Sequence, residues 1–161
     1  MPHLYVVRHA EPAALGVLLG QCDPALSEPG GRQAAEILKE IRLAVVYSSP
    51  LRRARETAEA LARGARIEIV EDLREITYGD WDGRTWAEIE ARDPVMARRK
   101  MAHWRGVTPA GGESWDEFSS RVMRAFEQIK LGPRPAAVVA HAAVNQVIAG
   151  LEMGYGEVRE L

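Results

Sequence analysis

Two histidines stand where apolar, β-branched runs of the sequence end, and both are candidates for chemistry. Residues 4–7 run into Arg8-His9, and residues 136–140 run into His141. Parallel strands of one sheet bring their carboxyl ends to the same edge, where α/β proteins bind ligands. We therefore predict that His9 is a nucleophile, with Arg8 beside it and His141 close by. A structural role for either ring stays open at this point, because a ring nitrogen can also bond a loop carbonyl.

Arginines are concentrated where a helix is predicted to follow the strand over residues 44–48. Ser49 suits the N-cap of that helix and Pro50 its first position, so the helix is expected over residues 50–63. The arginines in its first turns are Arg52, Arg53 and Arg55. Cations there oppose the helix dipole. Ion pairs with nearby glutamates explain two of them, and we expect the third to turn inward and grip an anionic oxygen.

The remaining histidines have no such placement. His3 lies in or before the first strand, and His103 lies beside Trp104 in a helical region. We interpret both as non-catalytic.

The pattern of elements that must position these residues is α/β. Strands are predicted over residues 4–7, 44–48, 67–70 and 136–140, and helices over residues 30–41, 50–63 and 142–151. Ser27, Thr85, Asp93 and Ser114 are predicted to begin helices. We expect one domain over residues 1–161, a three-layer sandwich with a mostly parallel central sheet and helices on both faces. A small helical cap insertion is expected at about 79–115, with Trp86, Trp104 and Trp115 as its packing residues.

Composition and net charge limit the classes of protein to which the chain can belong. The chain has 161 residues, 47% of them hydrophobic, and a net charge of -2. A net charge so close to zero does not indicate binding to nucleic acid. No apolar run is long enough to span a membrane. The start lacks the pattern of a signal peptide, so we expect a cytoplasmic protein. Cys22, the one cysteine, is interpreted as an ordinary loop residue.

Several short motifs together resemble those of the histidine phosphatase superfamily, in the family's order. They are Arg8-His9-Ala10-Glu11, residues 48–58 with Ser49-Pro50-Leu51-Arg52-Arg53, Leu73-Arg74-Glu75 with Gly79, Trp81 and Gly83, Gly111-Gly112-Glu113-Ser114, and Val138-Val139-Ala140-His141. Each motif alone is weak, but the ordered series is specific.

The resemblance implies roles at the matching positions. His9 would be the nucleophile that becomes phosphorylated, and Arg8, Arg53 and His141 would bind the phosphoryl oxygens. Glu75 would be the proton donor. No metal or other cofactor is implied, since fixed cations can stabilise the charge that spreads over the equatorial oxygens. The implied partner is a small phosphorylated substrate.

The sequence departs from the family in three respects. Ala10 and Ala142 stand where the family has glycine, and a backbone with φ > 0 at either position would cost roughly 1 kcal/mol. The family's loop often offers an asparagine to the phosphate, whereas Asn145 is the one asparagine here and lies beyond His141. The short segment after His141 leaves open whether an edge strand is lost.

These observations favour a phosphomonoester phosphatase, similar to the α-ribazole phosphatase-like or broad-specificity members. A phosphoglycerate mutase is the alternative, but it has to exclude water from the phosphoenzyme, which calls for a longer covering segment. A further alternative is a phosphohistidine phosphatase or a weakened signalling module that binds phosphorylated ligands. The oligomeric state is left open, with a homodimer as one option.

Overall fold

The chain folds around a five-stranded sheet, described by a computed structural model for residues 3–161. Its strands are β1 (Leu4–Arg8), β2 (Val45–Ser48), β3 (Arg66–Ile69), β4 (Ala136–Ala140) and β5 (Val158–Glu160). They lie in the order β3-β2-β4-β1-β5, with β1 to β4 parallel and β5 antiparallel to β1. The predicted mostly parallel sheet is confirmed. Met1 and Pro2, where the comparison with a signal peptide began, lie outside the described residues.

Four of the described helices begin at caps that the sequence predicted. The helices are α1 (Glu28–Glu36), α2 (Arg52–Ala62), α3 (Trp86–Arg92), α4 (Pro94–Ala102), α5 (Trp115–Lys130) and α6 (Ala142–Ala149). The side chains of Ser27, Thr85, Asp93 and Ser114 each accept a backbone N–H three residues further on. These bonds satisfy donors that the first turn of a helix leaves unpaired.

Alternate strand residues face two separate cores, and this produces three layers. Val138 of β4 packs with Phe118 and Val122 of α5 on one face. Val139, the next residue, packs with Ala54 and Leu61 of α2 on the other. Because both faces of β1, β2 and β4 are covered, these strands are largely apolar without a polar alternation, unlike the edge strand β3. The predicted sandwich with helices on both faces is confirmed.

The helices α1 and α6 end earlier than predicted, and the edge strand that the sequence left open is present. The helix expected over residues 30–41 is α1, which ends at Glu36 because Leu38 adopts a left-handed backbone (φ 51°). Gly150 ends α6 in the same way (φ 68°), a common end for a helix. An edge strand is present, since β5 pairs with β1 through Tyr5, Val6 and Val7.

The prediction that Ser49 caps α2 is wrong. The N-cap is Leu51, whose side chain makes no capping bond. The Ser49 hydroxyl instead accepts the Leu51 N–H at 3.2 Å in the turn before the helix. The proton of the Ser49 hydroxyl is therefore available for a group at the end of a neighbouring strand.

The helical segment over residues 79–115 has a small core of its own. Trp81, Ile89 and Ala97 form it. Trp86 packs against Trp81 as predicted, with ring centroids 5.8 Å apart. Trp115 does not belong to this core, because its ring packs on Phe118 at the start of α5.

Residues 3–161 contain no helix that is both long enough and apolar enough to cross a membrane.

Candidate active site

Sheet register brings the two strand-end histidines together. Arg8 lies opposite Ala140 in the parallel pairing of β1 with β4, so His9 and His141 follow at the same level. Their ring centroids are 5.3 Å apart. On the other side of β4, the chain leaving β2 continues the ladder, because the Ser49 N–H donates to the Val139 carbonyl. The carboxyl ends of β1, β4 and β2 therefore lie side by side and form the base of the candidate site.

His9 is held with one ring nitrogen occupied. The residue is 3% exposed, and its Nδ1 lies 2.7 Å from the Ala10 carbonyl oxygen. Burial lowers the pKa of His9 to about 3, and Arg53 and Arg8 act in the same direction. At neutral pH the ring is therefore uncharged, and a carbonyl can only accept, so Nδ1 carries the proton. The lone pair of Nε2 is then available to attack a ligand.

Thr57 holds the peptide that positions His9. The Ala10 N–H donates to the Thr57 hydroxyl at 3.0 Å, and that hydroxyl donates to the Arg53 carbonyl at 2.8 Å. The loop after β1 is thus bonded directly to the first turns of α2.

Arg53 is the arginine that turns inward. It is 1% exposed, whereas Arg52 is exposed and pairs with Glu56 at 2.7 Å. Its Nη1 and Nη2 donate to the carbonyls of Cys22 and Gly20. The loop that carries these two carbonyls requires glycine at position 20. Gly20 has a φ of +50°, and a Cβ there would lie 1.7 Å from an Asp82 oxygen.

Arg8 is held by the segment before β5. Its Nη1 donates to the Met153 carbonyl at 2.8 Å, and its guanidinium lies 4.1 Å from the centroid of the Tyr155 ring. The Gly156 N–H also donates to the carbonyls of Arg8 and His9. The segment after α6 therefore fixes both residues.

Three groups beside His9 each keep one buried nitrogen without a hydrogen-bond partner in the described residues. They are Arg8 Nε, Arg53 Nε and His141 Nδ1. A buried donor without an acceptor costs free energy, so such groups usually have a function. Both guanidinium groups carry a proton on Nε. The arrangement therefore provides donors for an anion that the protein itself does not satisfy.

Glu75 is a buried carboxyl beside these cations. Its two oxygens accept the N–H groups of Ile76 and Ala143 at 3.0 and 3.2 Å. Burial raises the pKa of Glu75, and these bonds and the two arginines only partly oppose that effect. Arg121 fixes the segment, since its guanidinium donates to the Asp72, Arg74 and Glu75 carbonyls. A carboxyl that tends to hold its proton is suited to act as a general acid.

Most of the side chains described above line a cavity of about 160 Å³. Its residues are Arg8, His9, Val17, Leu18, Leu19, Gly20, Arg53, Glu75, Tyr78, Ala142 and Tyr155. His141 does not line it and lies fully buried against His9. Pockets for drug-sized ligands are about two to six times larger, at about 300–1,000 Å³. The cavity suits a phosphoryl group and a few more atoms.

The departures from the family do not strain the backbone. Neither Ala10 nor Ala142 is among the described residues with positive φ other than glycine, which are Leu38 and Arg63. Ala142 is among the residues that line the cavity, whereas Ala10 is not. Asn145 is fully buried on α6 and does not line the cavity. It therefore does not replace the missing asparagine of the loop.

The predictions missed residues that act through the backbone or the tertiary fold. The Ala10 carbonyl carries no side-chain signal at all. Thr57 was visible only as part of a motif, and Tyr155 lies in a segment whose sequence gave no indication of a site.

No group of three or more histidine, cysteine, aspartate or glutamate residues that could hold a metal ion occurs within residues 3–161. The positive charge at this site comes from arginine side chains.

The sequence matches the family model of the histidine phosphatase superfamily (branch 1) over residues 4–159. The chain belongs to that superfamily. It is 37% identical over 145 residues to the bifunctional protein Rv2228c of Mycobacterium tuberculosis, a match that covers 85% of this chain and 40% of that protein. It thus spans less than half of that relative.

Two further relatives are phosphatases by name. The metal-independent phosphoserine phosphatase of Arabidopsis thaliana is 35% identical over 157 residues, covering 90% of this chain and 66% of that enzyme. The structure of mycobacterial glucosyl-3-phosphoglycerate phosphatase Rv2419c with inorganic phosphate matches with a TM-score of 0.81 and 30% identity, covering 99% of this chain and 89% of that one.

Proposed function

We propose that the protein hydrolyses phosphomonoesters of small metabolites through a phosphohistidine on His9. The observation that carries the proposal is the set of buried nitrogens without a hydrogen-bond partner in the described residues, Arg8 Nε, Arg53 Nε and His141 Nδ1, beside a neutral His9. A phosphoryl group in transfer spreads negative charge over three equatorial oxygens. Donors already fixed in a buried site stabilise that charge without reorganisation.

In the first step Nε2 of His9 attacks phosphorus, and the bond from phosphorus to the ester oxygen breaks. Glu75 gives its proton to the departing oxygen. The phosphorylated imidazole still has its proton on Nδ1 and becomes cationic. The Ala10 carbonyl, 2.7 Å from Nδ1, stabilises that charge by accepting the hydrogen bond.

In the second step water attacks phosphorus, and the phosphorus–nitrogen bond breaks. Glu75, now a carboxylate, removes a proton from the water and returns to its starting state. His9 becomes neutral again, and inorganic phosphate leaves. One buried carboxyl thus serves as acid and then as base.

The cavity walls support a leaving group that is small or neutral. Away from the residues proposed to bind the phosphoryl group, the cavity walls are mainly aliphatic and aromatic. These wall residues are Val17, Leu18, Leu19, Tyr78 and Tyr155. Arg8 and Arg53 are the cations among the lining residues, and both face the phosphoryl group in our scheme. A second anionic group on the substrate would find no counter-charge inside the cavity. This favours neutral alcohols, as in the α-ribazole-type substrate inferred from the sequence, over the carboxylate-bearing phosphoserine in the name of the plant relative.

A phosphoglycerate mutase is less well supported for the same reason, because it must also hold a second acidic group. The weakened signalling module is less well supported because the alanines at positions 10 and 142 do not strain the backbone. A phosphohistidine phosphatase would not need Glu75, since the imidazole is a better leaving group than an alcohol. Cytoplasmic location and a homodimer remain proposals that fractionation and light scattering can test.

The experiment is acid-labile phosphate trapping during turnover, in the presence of a chelator. Rapid quench with a labelled monoester should place phosphate on the wild type and on His103→Ala, a matched control at an exposed histidine. His9→Ala should show neither label nor turnover. Turnover by His9→Ala at the wild-type rate would refute the phosphohistidine route.

A paired substrate panel tests the leaving group. Phosphoethanolamine against phosphoserine, and glycerol 3-phosphate against 3-phosphoglycerate, differ by one carboxylate in each pair. We expect the substrate without the carboxylate to have the higher kcat/KM in both pairs. Phosphate transfer from bisphosphoglycerate to 3-phosphoglycerate without net release would instead identify a mutase.

A further inference from the structure

A buried serine bonds the second histidine of the site on the side away from its unpartnered nitrogen. Nε2 of His141 lies 2.7 Å from the Ser49 hydroxyl oxygen, and both residues are fully buried. Ser49 follows β2 and His141 follows β4, which are neighbours in the sheet. The Ser49 backbone N–H donates to the Val139 carbonyl, so the serine has a fixed position.

The hydrogen bonds of Ser49 determine the direction of this contact. A serine hydroxyl has one proton to donate and two lone pairs. One lone pair accepts the Leu51 N–H at 3.2 Å. Within residues 3–161, His141 Nε2 is the acceptor that the hydroxyl proton can reach. A buried hydroxyl is rarely left without an acceptor, so Ser49 donates and Nε2 accepts.

The proton of the imidazole must then be on the other nitrogen. Burial, with Arg53 next in effect, holds the pKa of His141 well below its usual value, so the ring is neutral and has a single N–H. With Nε2 accepting, that N–H is on Nδ1, the buried nitrogen that has no partner in the described residues. The opposite tautomer would leave the Ser49 proton without an acceptor and would turn a lone pair toward a bound anion.

We propose that Ser49 is a positioning residue that fixes His141 as the Nδ1–H tautomer, so that a neutral imidazole donates to a phosphoryl oxygen. The proposal rests on the function proposed above, because it assumes that the anion beside His9 is a phosphoryl group. It assigns Ser49 a role through His141 and no contact with substrate.

The primary test reads the tautomer directly in the resting enzyme. Nitrogen-15 NMR of histidine-labelled protein at neutral pH, with the His141 signals assigned from a His141→Gln variant, separates protonated from unprotonated ring nitrogens. We expect Nδ1 protonated and Nε2 unprotonated in the wild type. An imidazolium, or a ring protonated on Nε2, would overturn the proposal even if Ser49 variants fail to fold.

The second test uses variants and inorganic phosphate as the probe. Ser49→Ala should mix the tautomers and weaken phosphate binding roughly 10- to 100-fold, the effect of one hydrogen bond to a charged group. Ser49→Thr, which keeps the hydroxyl, should restore the tautomer. The matched control is Ser48→Ala, since Ser48 is equally buried and donates to the Ser49 carbonyl rather than to the ring. Unchanged tautomer and phosphate affinity in folded Ser49→Ala would refute the proposal.

The two proposals can fail separately. If no phosphate is trapped on His9 but the tautomer and the Ser49→Ala effects are as expected, the proposed hydrolysis fails and the role of Ser49 in anion binding stands. If phosphohistidine forms but His141 is protonated on Nε2, the role of Ser49 fails alone.

Discussion

Replacement of Glu75 by glutamine separates a proton donor from the rest of the site. Gln has nearly the same shape and can still accept one of the two backbone N–H bonds that Glu75 receives from Ile76 and Ala143. It cannot supply a proton to a leaving oxygen. The other N–H then faces the amide nitrogen without an acceptor, so thermal unfolding must first show that the variant is folded.

The expected loss depends on the leaving group. An alkoxide needs a proton, and a positioned general acid contributes about 10²- to 10⁴-fold, or about 3–5 kcal/mol of transition-state stabilisation. A phenol has a pKa of about 10 against about 15.7 for water, so a phenolate leaves without help. We expect Glu75→Gln to lose about 10²-fold or more on an alkyl phosphate and less than about 10-fold on an aryl phosphate in the first step.

The assay is single-turnover kinetics with one alkyl and one aryl phosphate. Steady-state rates are unsuitable alone, because Glu75 also acts as base when water attacks phospho-His9. The variant should therefore release phenolate in a burst and then stall. The pH profile supplies a second readout. The pKa of Glu75 is raised by burial, so wild-type activity on the alkyl ester should fall as pH rises through that raised value, and the variant should lack this limb. Equal losses on both esters in the first step would refute the proton-donor role.

Arg53→Lys should reduce kcat/KM about 10²- to 10³-fold on alkyl and aryl esters alike, whereas Arg52→Lys, at an exposed arginine, should change it little. The pKa of His9 is lowered to about 3, so the folded state binds fewer protons than the unfolded state between pH 6.5 and 3. The unfolding free energy in urea should therefore fall as pH decreases through that range, by up to about 1.4 kcal/mol per pH unit for this group, and less steeply in His9→Asn. Ala142→Gly should lower the unfolding free energy by roughly 0.5 kcal/mol, since Ala142 has no positive φ to relieve and begins a helix; a stabilised variant would contradict the backbone described here.

Signals with short range in the sequence predicted most of the fold. Apolar runs of four or five residues gave the parallel strands, and capping residues such as Thr85 and Ser114 gave helix starts, because a cap bonds to its own helix. Helix ends were less predictable. The chain leaves α1 at Leu38 through a left-handed conformation, which is disfavoured for leucine and is set by tertiary packing. The strand β5 is short and half exposed, so no apolar run marks it.

The candidate site also contains some residues that the sequence predicted and others that only the tertiary structure shows. His9 and His141 were predictable because each follows a buried strand. The acceptor for His9 was not predictable, since a main-chain carbonyl has no sequence signature. Ser49 was misassigned because a serine before proline is typical of an N-cap, and only the pairing of β2 with β4 shows that its hydroxyl faces His141. Tyr155 is brought to the cavity by the pairing of β5 with β1, which depends on contacts distant in sequence.

The charge balance of the site links these features. Arg8 and Arg53 donate to main-chain carbonyls and, within residues 3–161, form no ion pair with a carboxylate, so no described ion pair neutralises their positive charge. That charge contributes to the lowered pKa values of His9 and His141, which keeps one ring nucleophilic. With both rings neutral and a proton on Glu75, as the proposed first step requires, the site holds two positive charges. A phosphomonoester carries about -1.5 to -2 at pH 7. The same two arginines therefore match the charge of the substrate and help to keep His9 and His141 neutral, whereas burial raises the pKa of Glu75 against their effect.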